Sequence, residues 1–112
     1  GHFAANAVVN GRSTEMLVDT GASVVALTPA TARRLGIHPA AGDYTISMST
    51  ANGVASAAAV TLDEIRIGDV TVREVPAVVF AGEGLGVDLL GMTFLKRLTR
   101  FEVGGGQLVL VQ

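Results

Sequence analysis

Residues 17–22 read L-V-D-T-G-A, preceded by Met16 and followed by S-V-V-A-L at 23–27. An apolar run of about four to eight residues between turn signals reads as a strand buried on both faces. Aspartate is disfavoured in such a place, because an ionised carboxylate buried without partners costs several kcal/mol. Asp19 is therefore either satisfied by hydrogen bonds or used chemically, and Gly21 ends the run in a turn. From these residues alone both readings are open.

Turn signals recur on both sides of this stretch, at Asn10-Gly11, Asn52-Gly53, Gly68-Asp69 and Gly104-Gly105-Gly106, with short segments rich in Val, Ile, Leu and Thr between them. That alternation predicts an all-β domain built of hairpins. Two segments read as helix instead. The first has Thr28 as N-cap and Pro29 at the first helical position, runs to Leu35 and stops at Gly36. The second covers Met92 to Leu98. Across 54–67 the apolar positions change phase, from Val60 and Leu62 to Ile65 and Ile67, which predicts a bulge or bend near Asp63-Glu64. The chain also carries a faint internal echo. With Gly21 set over Gly91, V-D-T-G-A-S at 18–23 stands over D-L-L-G-M-T at 88–93, and Leu89 and Leu90 replace Asp19 and Thr20.

A length of 112 residues predicts a single domain over 1–112 with no linker. Charged residues make up only 16% of the chain against 49% apolar, and this surplus of apolar surface predicts burial against another subunit. The net charge is -2 with a single lysine, Lys96, so no basic stripe exists to neutralise phosphates and nucleic acid is not an expected partner. With no cysteine, and with His2 and His38 far apart, disulfides and zinc-thiolate sites are excluded and neither metal nor cofactor is expected. The longest apolar stretches, such as 75–82, are too short to span a bilayer and include Pro76, so no membrane contact is expected within this chain. The methionines at 16, 48 and 92 read as core filler. Arg97 and Arg100 read as solvated or paired residues near a helix end.

These stretches taken in order resemble the retropepsin-like aspartic peptidases, in particular the small bacterial members. The resemblance runs through G-H-F at 1–3, V-N-G at 9–11, L-V-D-T-G-A-S at 17–23, R-L-G at 34–36, S-T-A-N-G at 49–53, I-G-D at 67–69, L-L-G-M-T-F-L at 89–95 and R-F-E-V at 100–103. It implies a single-lobe acid-protease barrel with one or two short helices and a flap hairpin, acting as a symmetric homodimer on a peptide or protein substrate. Hydrolysis by this chemistry needs a water held between two carboxyl groups, one taking its proton and one polarising the carbonyl oxygen. Only Asp19 sits in a D-T-G, so one chain carries half a site, and a two-fold axis would set Asp19 opposite its copy.

The resemblance assigns further roles residue by residue. Asp19 would be catalytic, and Thr20 would bond across the axis to the partner subunit. Gly21 would let the loop backbone approach the carboxylates, where a Cβ would intrude. Ala22 adds no hydroxyl beside the pair, and Ser23 stands where many viral members have an Asp that holds substrate backbone. Thr50, Ala51, Asn52, Gly53 and Val54, after Ser49, would form the flap tip, with Asn52-Gly53 as a two-residue primed turn and Ala55 to Ala59 as a mobile return strand. Leu89, Leu90 and Gly91 would support the active-site loop from below. Gln107 to Gln112 would be a terminal strand of the dimer. The resemblance also implies a periplasmic or cell-envelope location, with an N-terminal membrane anchor outside this chain. Two readings follow: a homodimeric aspartic endopeptidase, or a catalytically silent dimerisation or peptide-binding module of the same fold.

Overall fold

Strand β1 (Phe3–Val9) turns back on β2 (Arg12–Val18) through Asn10-Gly11, whose φ angles of 48° and 83° are those a primed hairpin turn requires. The structure, a computed structural model, describes residues 3–112, so His2 lies outside the described residues. After the Asp19 loop the chain forms β3 (Val25–Leu27), helix α1 (Pro29–Arg34) and a 3-10 turn at Ala41–Asp43. Two long hairpins follow: β4 (Ile46–Thr50) with β5 (Gly53–Ile67), and β5 with β6 (Val70–Phe80). The chain ends with β7 (Leu89–Leu90), helix α2 (Met92–Leu95) and the hairpin β8 (Arg100–Gly104) to β9 (Gln107–Val111).

The strand order is β1-β2-β7-β3-β6-β5-β4, and β1 also pairs with β5, so the sheet closes on itself as a barrel with β4 hung on the outside of β5. The closing pairs are Val8 with Arg66 and Val9 with Ile65. Inside lies the main core, where Val9, Met16, Leu27, Leu62, Ile65, Leu90, Phe94 and Leu95 are almost wholly buried. Burial of each such side chain is worth about 1.5–3 kcal/mol. A second, smaller core of Ala26, Ala57, Val78 and Phe80 lies toward the β4–β5 hairpin.

Local chemistry explains the helices. Thr28 Oγ1 accepts the Thr31 N–H at 3.2 Å, Pro29 takes the first helical position, and Gly36 leaves the helix at φ 78°. Helix α2 is shorter than the predicted 92–98. Lys96 N–H still bonds Met92 O, but Arg97 and Leu98 bond Phe94 O and Leu95 O, so the helix tightens into three-residue turns after its first turn.

One strand expectation is narrowed and two change in detail. The phase shift in β5 is a bend without a bulge: the β5–β6 register is the same before and after it, at Leu62 with Val75 and Glu64 with Arg73. The kink falls where Glu74 takes φ 52° and β5 exchanges β4 for β1 as its outer neighbour. At the tip of β4–β5, Thr50 pairs with Gly53, so the loop residues are Ala51-Asn52 rather than Asn52-Gly53. Asn52 stays out of the left-handed region, and only Gly53 takes positive φ, at 111°. The Thr50 hydroxyl supplies the turn, donating to Gly53 O at 2.8 Å and accepting Asn52 N–H at 3.1 Å. Finally, the base of the Ala-rich return strand is anchored: Ala57 and Ala58 are fully buried, their small side chains letting the layers approach.

Candidate active site

Asp19 stands where β2 leaves the barrel. Its N–H bonds Leu90 O at 3.2 Å, its carbonyl accepts Ala22 N–H at 3.2 Å, and its Oδ1 accepts Gly21 N–H at 2.8 Å. The loop is therefore folded around its own carboxylate. Beneath it, Met92 N–H reaches Ala22 O at 2.9 Å, and Val25 N–H bonds the Thr93 hydroxyl, which in turn donates to Pro76 O. A Cβ on Gly91 would stand 2.2 Å from Val24 O and 2.8 Å from Ala22 O, so this corner can seat the loop only as glycine. At Gly21 the same atom would lie 3.2 Å from Asp19 Oδ1, a tight contact that a small shift relieves. The strict glycine is thus Gly91, and Gly21 is the milder case.

Above the loop opens a cleft of about 590 Å³. Asp19, Gly21, Ala22 and Ser23 line it from below, Met48 to Asn52 from the hairpin side, and Gly84, Leu85 and Gly86 from the 81–88 loop. Val24, Ala26, Phe80 and Leu89 supply further apolar surface. Among the described residues Asp19 is the only charged group that lines this cleft.

The structure thus brings Asp19, Gly21, Ala22, Ser23, Thr50, Ala51, Asn52 and Leu89 to one cavity. Thr20 lies beside it, exposed. Gly53 and Val54 do not line it, although they pair with Thr50 and Ser49, which do, and Val54 is 76% exposed. Leu90 and Gly91 are buried beneath the loop. Leu89 therefore faces the cleft while Leu90 faces the core, as the two-residue strand period requires. Sequence reasoning missed Phe80 and Leu85; Met48, read as core filler, packs against the smaller core and also lines the cleft. The signal for Leu85 was a lone large apolar residue between two glycines in G-E-G-L-G at 82–86. Gly84 packs so closely on the hairpin that a Cβ there would come within 3.2 Å of Ala55 Cβ.

A protein-family model described as "gag-polyprotein putative aspartyl protease" matches residues 5–97. Among curated proteins, the chain is 46% identical over 103 residues to an uncharacterized protein in the cobV 5' region of Sinorhizobium sp, covering 92% of this chain and 44% of that protein. It is 38% identical over 110 residues to an uncharacterized protein of Rickettsia prowazekii (strain Madrid E), covering 98% of this chain and 47% of that one. The chain spans about half the length of the curated relatives it matches. Among solved structures, it is similar to a retropepsin-like aspartic protease from Rickettsia conorii, with a TM-score of 0.83 at 39% identity over 96% of this chain and 88% of that one. It also matches EIAV protease complexed with the inhibitor HBY-793, with a TM-score of 0.70 at 18% identity over 87% of this chain and 88% of that one, a likeness of fold.

Proposed function

The chain belongs to the retropepsin-like aspartic peptidases, and on that premise we propose that it acts as a homodimeric aspartic endopeptidase in which a water is activated between Asp19 of each of two subunits. The observation that carries this reading is the charge of the cleft, where among the described residues Asp19 is the one charged group beside apolar, hydroxyl-bearing and amide neighbours. A lone carboxylate can take a proton from water but cannot at the same moment polarise the substrate carbonyl. That second task needs a protonated carboxyl facing it. An isologous contact supplies it from the same residue of a second copy.

The remaining residues take parts consistent with this. Gly21 N–H fixes the rotation of the Asp19 carboxylate through Oδ1. Thr20, exposed next to it, offers a hydroxyl to the partner subunit. The β4–β5 hairpin forms one wall of the cleft and serves as the flap, closing on an extended peptide and excluding bulk water. The test is a peptide-library digest with the wild-type chain and with Asp19→Asn. Cleavage that the substitution abolishes supports the reading, and cleavage that persists at the wild-type rate overturns it. Peptide binding without cleavage by the wild-type chain would identify a binding module instead.

A further inference from the structure

Asp88 is the second carboxylate set in an apolar run, and it is handled in the opposite way from Asp19. It is 8% exposed, with both oxygens occupied: Oδ1 accepts the Thr28 N–H at 2.8 Å and Oδ2 accepts the Thr31 hydroxyl at 2.6 Å. Its backbone carbonyl accepts the Leu17 N–H at 2.9 Å. These contacts have a common geometry. The loop bearing Asp19 leaves the barrel after Val18 and re-enters it at Val25, so Leu17 belongs to the outgoing stem and Thr28 closes the returning one. Asp88 holds the first stem by its main chain and the second by its side chain. The next residue, Leu89, pairs with both Leu17 and Ala26, continuing the same bridge toward the cleft.

We infer that Asp88 is a positioning residue for Asp19, setting the separation of the two stems and through it the orientation of the loop carboxylate. Thr28 already caps α1 through its own hydroxyl. The Asp88 carboxylate therefore reaches past the cap to the backbone that ends β3. Loss of the carboxylate leaves the main-chain bonds of Asp88 and Leu89 and the contacts through Leu90, Gly91 and Met92, but frees the returning stem where Thr28 ends it. A displacement on the order of 1 Å in a reacting group can lower turnover by about a hundredfold. The kinetic part of the inference rests on the peptidase reading, and the dynamic part does not.

The experiment compares wild type, Asp88→Ala and Asp88→Asn by ¹⁵N relaxation and by steady-state cleavage. In wild type the Gly21 and Ala22 amides should show order parameters near the rigid value of about 0.85, and in Asp88→Ala these should fall below about 0.6 while Ile65 and Val72 in the barrel stay unchanged. Turnover in Asp88→Ala should drop about 10- to 100-fold with KM within about twofold of wild type. Asp88→Asn, which keeps the volume and the Thr28 contact, should restore most of both. If Asp88→Ala does not fold, Thr31→Val removes the Oδ2 bond together with the bond the Thr28 hydroxyl donates to Thr31, keeps the Oδ1 bond to the Thr28 N–H, and should loosen Gly21 and Ala22 relative to Ile65 and Val72. Loop amides that stay as rigid as wild type, or that loosen only together with the barrel amides, overturn the inference. So does a turnover that falls only with the folded fraction. A wild-type chain that never cleaves, with loop amides loosened as described, removes the peptidase reading and leaves the positioning role standing.

Discussion

Asp19 receives one hydrogen bond on its carboxylate and borders a cleft with no other charge among the described residues, so replacing it by Asn changes chemistry more than packing. Asn retains an oxygen for the Gly21 N–H. Asp19→Asn should therefore lose at least about 10²- to 10⁴-fold in cleavage rate while unfolding within about 0.5 kcal/mol of wild type. Parallel assays of turnover and denaturant midpoint check this. At Gly91 the argument is steric. Gly91→Ala drives a methyl into Val24 O and should cost about 3 kcal/mol or more, whereas Gly21→Ala should cost about 1 kcal/mol. Equal midpoints for these two variants would refute the distinction.

At the scale of the element, the β4–β5 hairpin makes its own prediction. Only Gly53 takes positive φ, and a Cβ there meets nothing within 4 Å, so Gly53→Val strains the backbone without a clash. It should cost about 1–3 kcal/mol locally and slow turnover by far more than it lowers the melting temperature. Asn52→Ala should be nearly neutral, because Asn52 stays out of the left-handed region. Comparable losses in both variants would restore the primed-turn reading. The contrast shows which features could be read from residue order. Helix α1 was legible because Thr28, Pro29 and Gly36 act within one turn of where they stand. The hairpins at Asn10-Gly11 and Gly105-Gly106 were legible for the same reason, and both residues of each take positive φ. The tip at Asn52-Gly53 was misread by one residue because the register is fixed by the Thr50 hydroxyl and by the pairing of β5 with β6. The cleft lining was hidden for a larger reason. Phe80 and Leu85 are far from Asp19 in sequence, and the pairing of β6 with β3 and the 81–88 loop that follows β6 bring them there, which single-strand patterns cannot express. Asp88 was overlooked although it broke an apolar run just as Asp19 did, because only its partners reveal which of the two answers applies.

For the molecule as a whole the testable quantity is assembly. If one chain holds half a site, specific activity should fall as the protein is diluted through its dimer dissociation constant, and a sedimenting monomer with undiminished specific activity would refute it. The family resemblance implies that the terminal strand joins the proposed dimer, so the terminal hairpin is the place to test it. Removing Leu108 to Gln112 would also strip Leu108 and Leu110 from the main core, so a point change is cleaner. Val109 lies on the opposite face of β9 from those leucines and is 36% exposed. Val109→Glu should weaken dimerisation on the order of tenfold, about 1.4 kcal/mol, and leave the monomer fold intact by circular dichroism. The barrel's closure has one more effect, in time rather than in space. Thr28 and Asp88 are 60 residues apart in the chain. A ribosome adding about 5–20 residues per second makes that gap several seconds long. Throughout that interval the nascent chain already displays Asp19 and yet lacks the strand that seats it, so the loop is among the last parts to be assembled during synthesis.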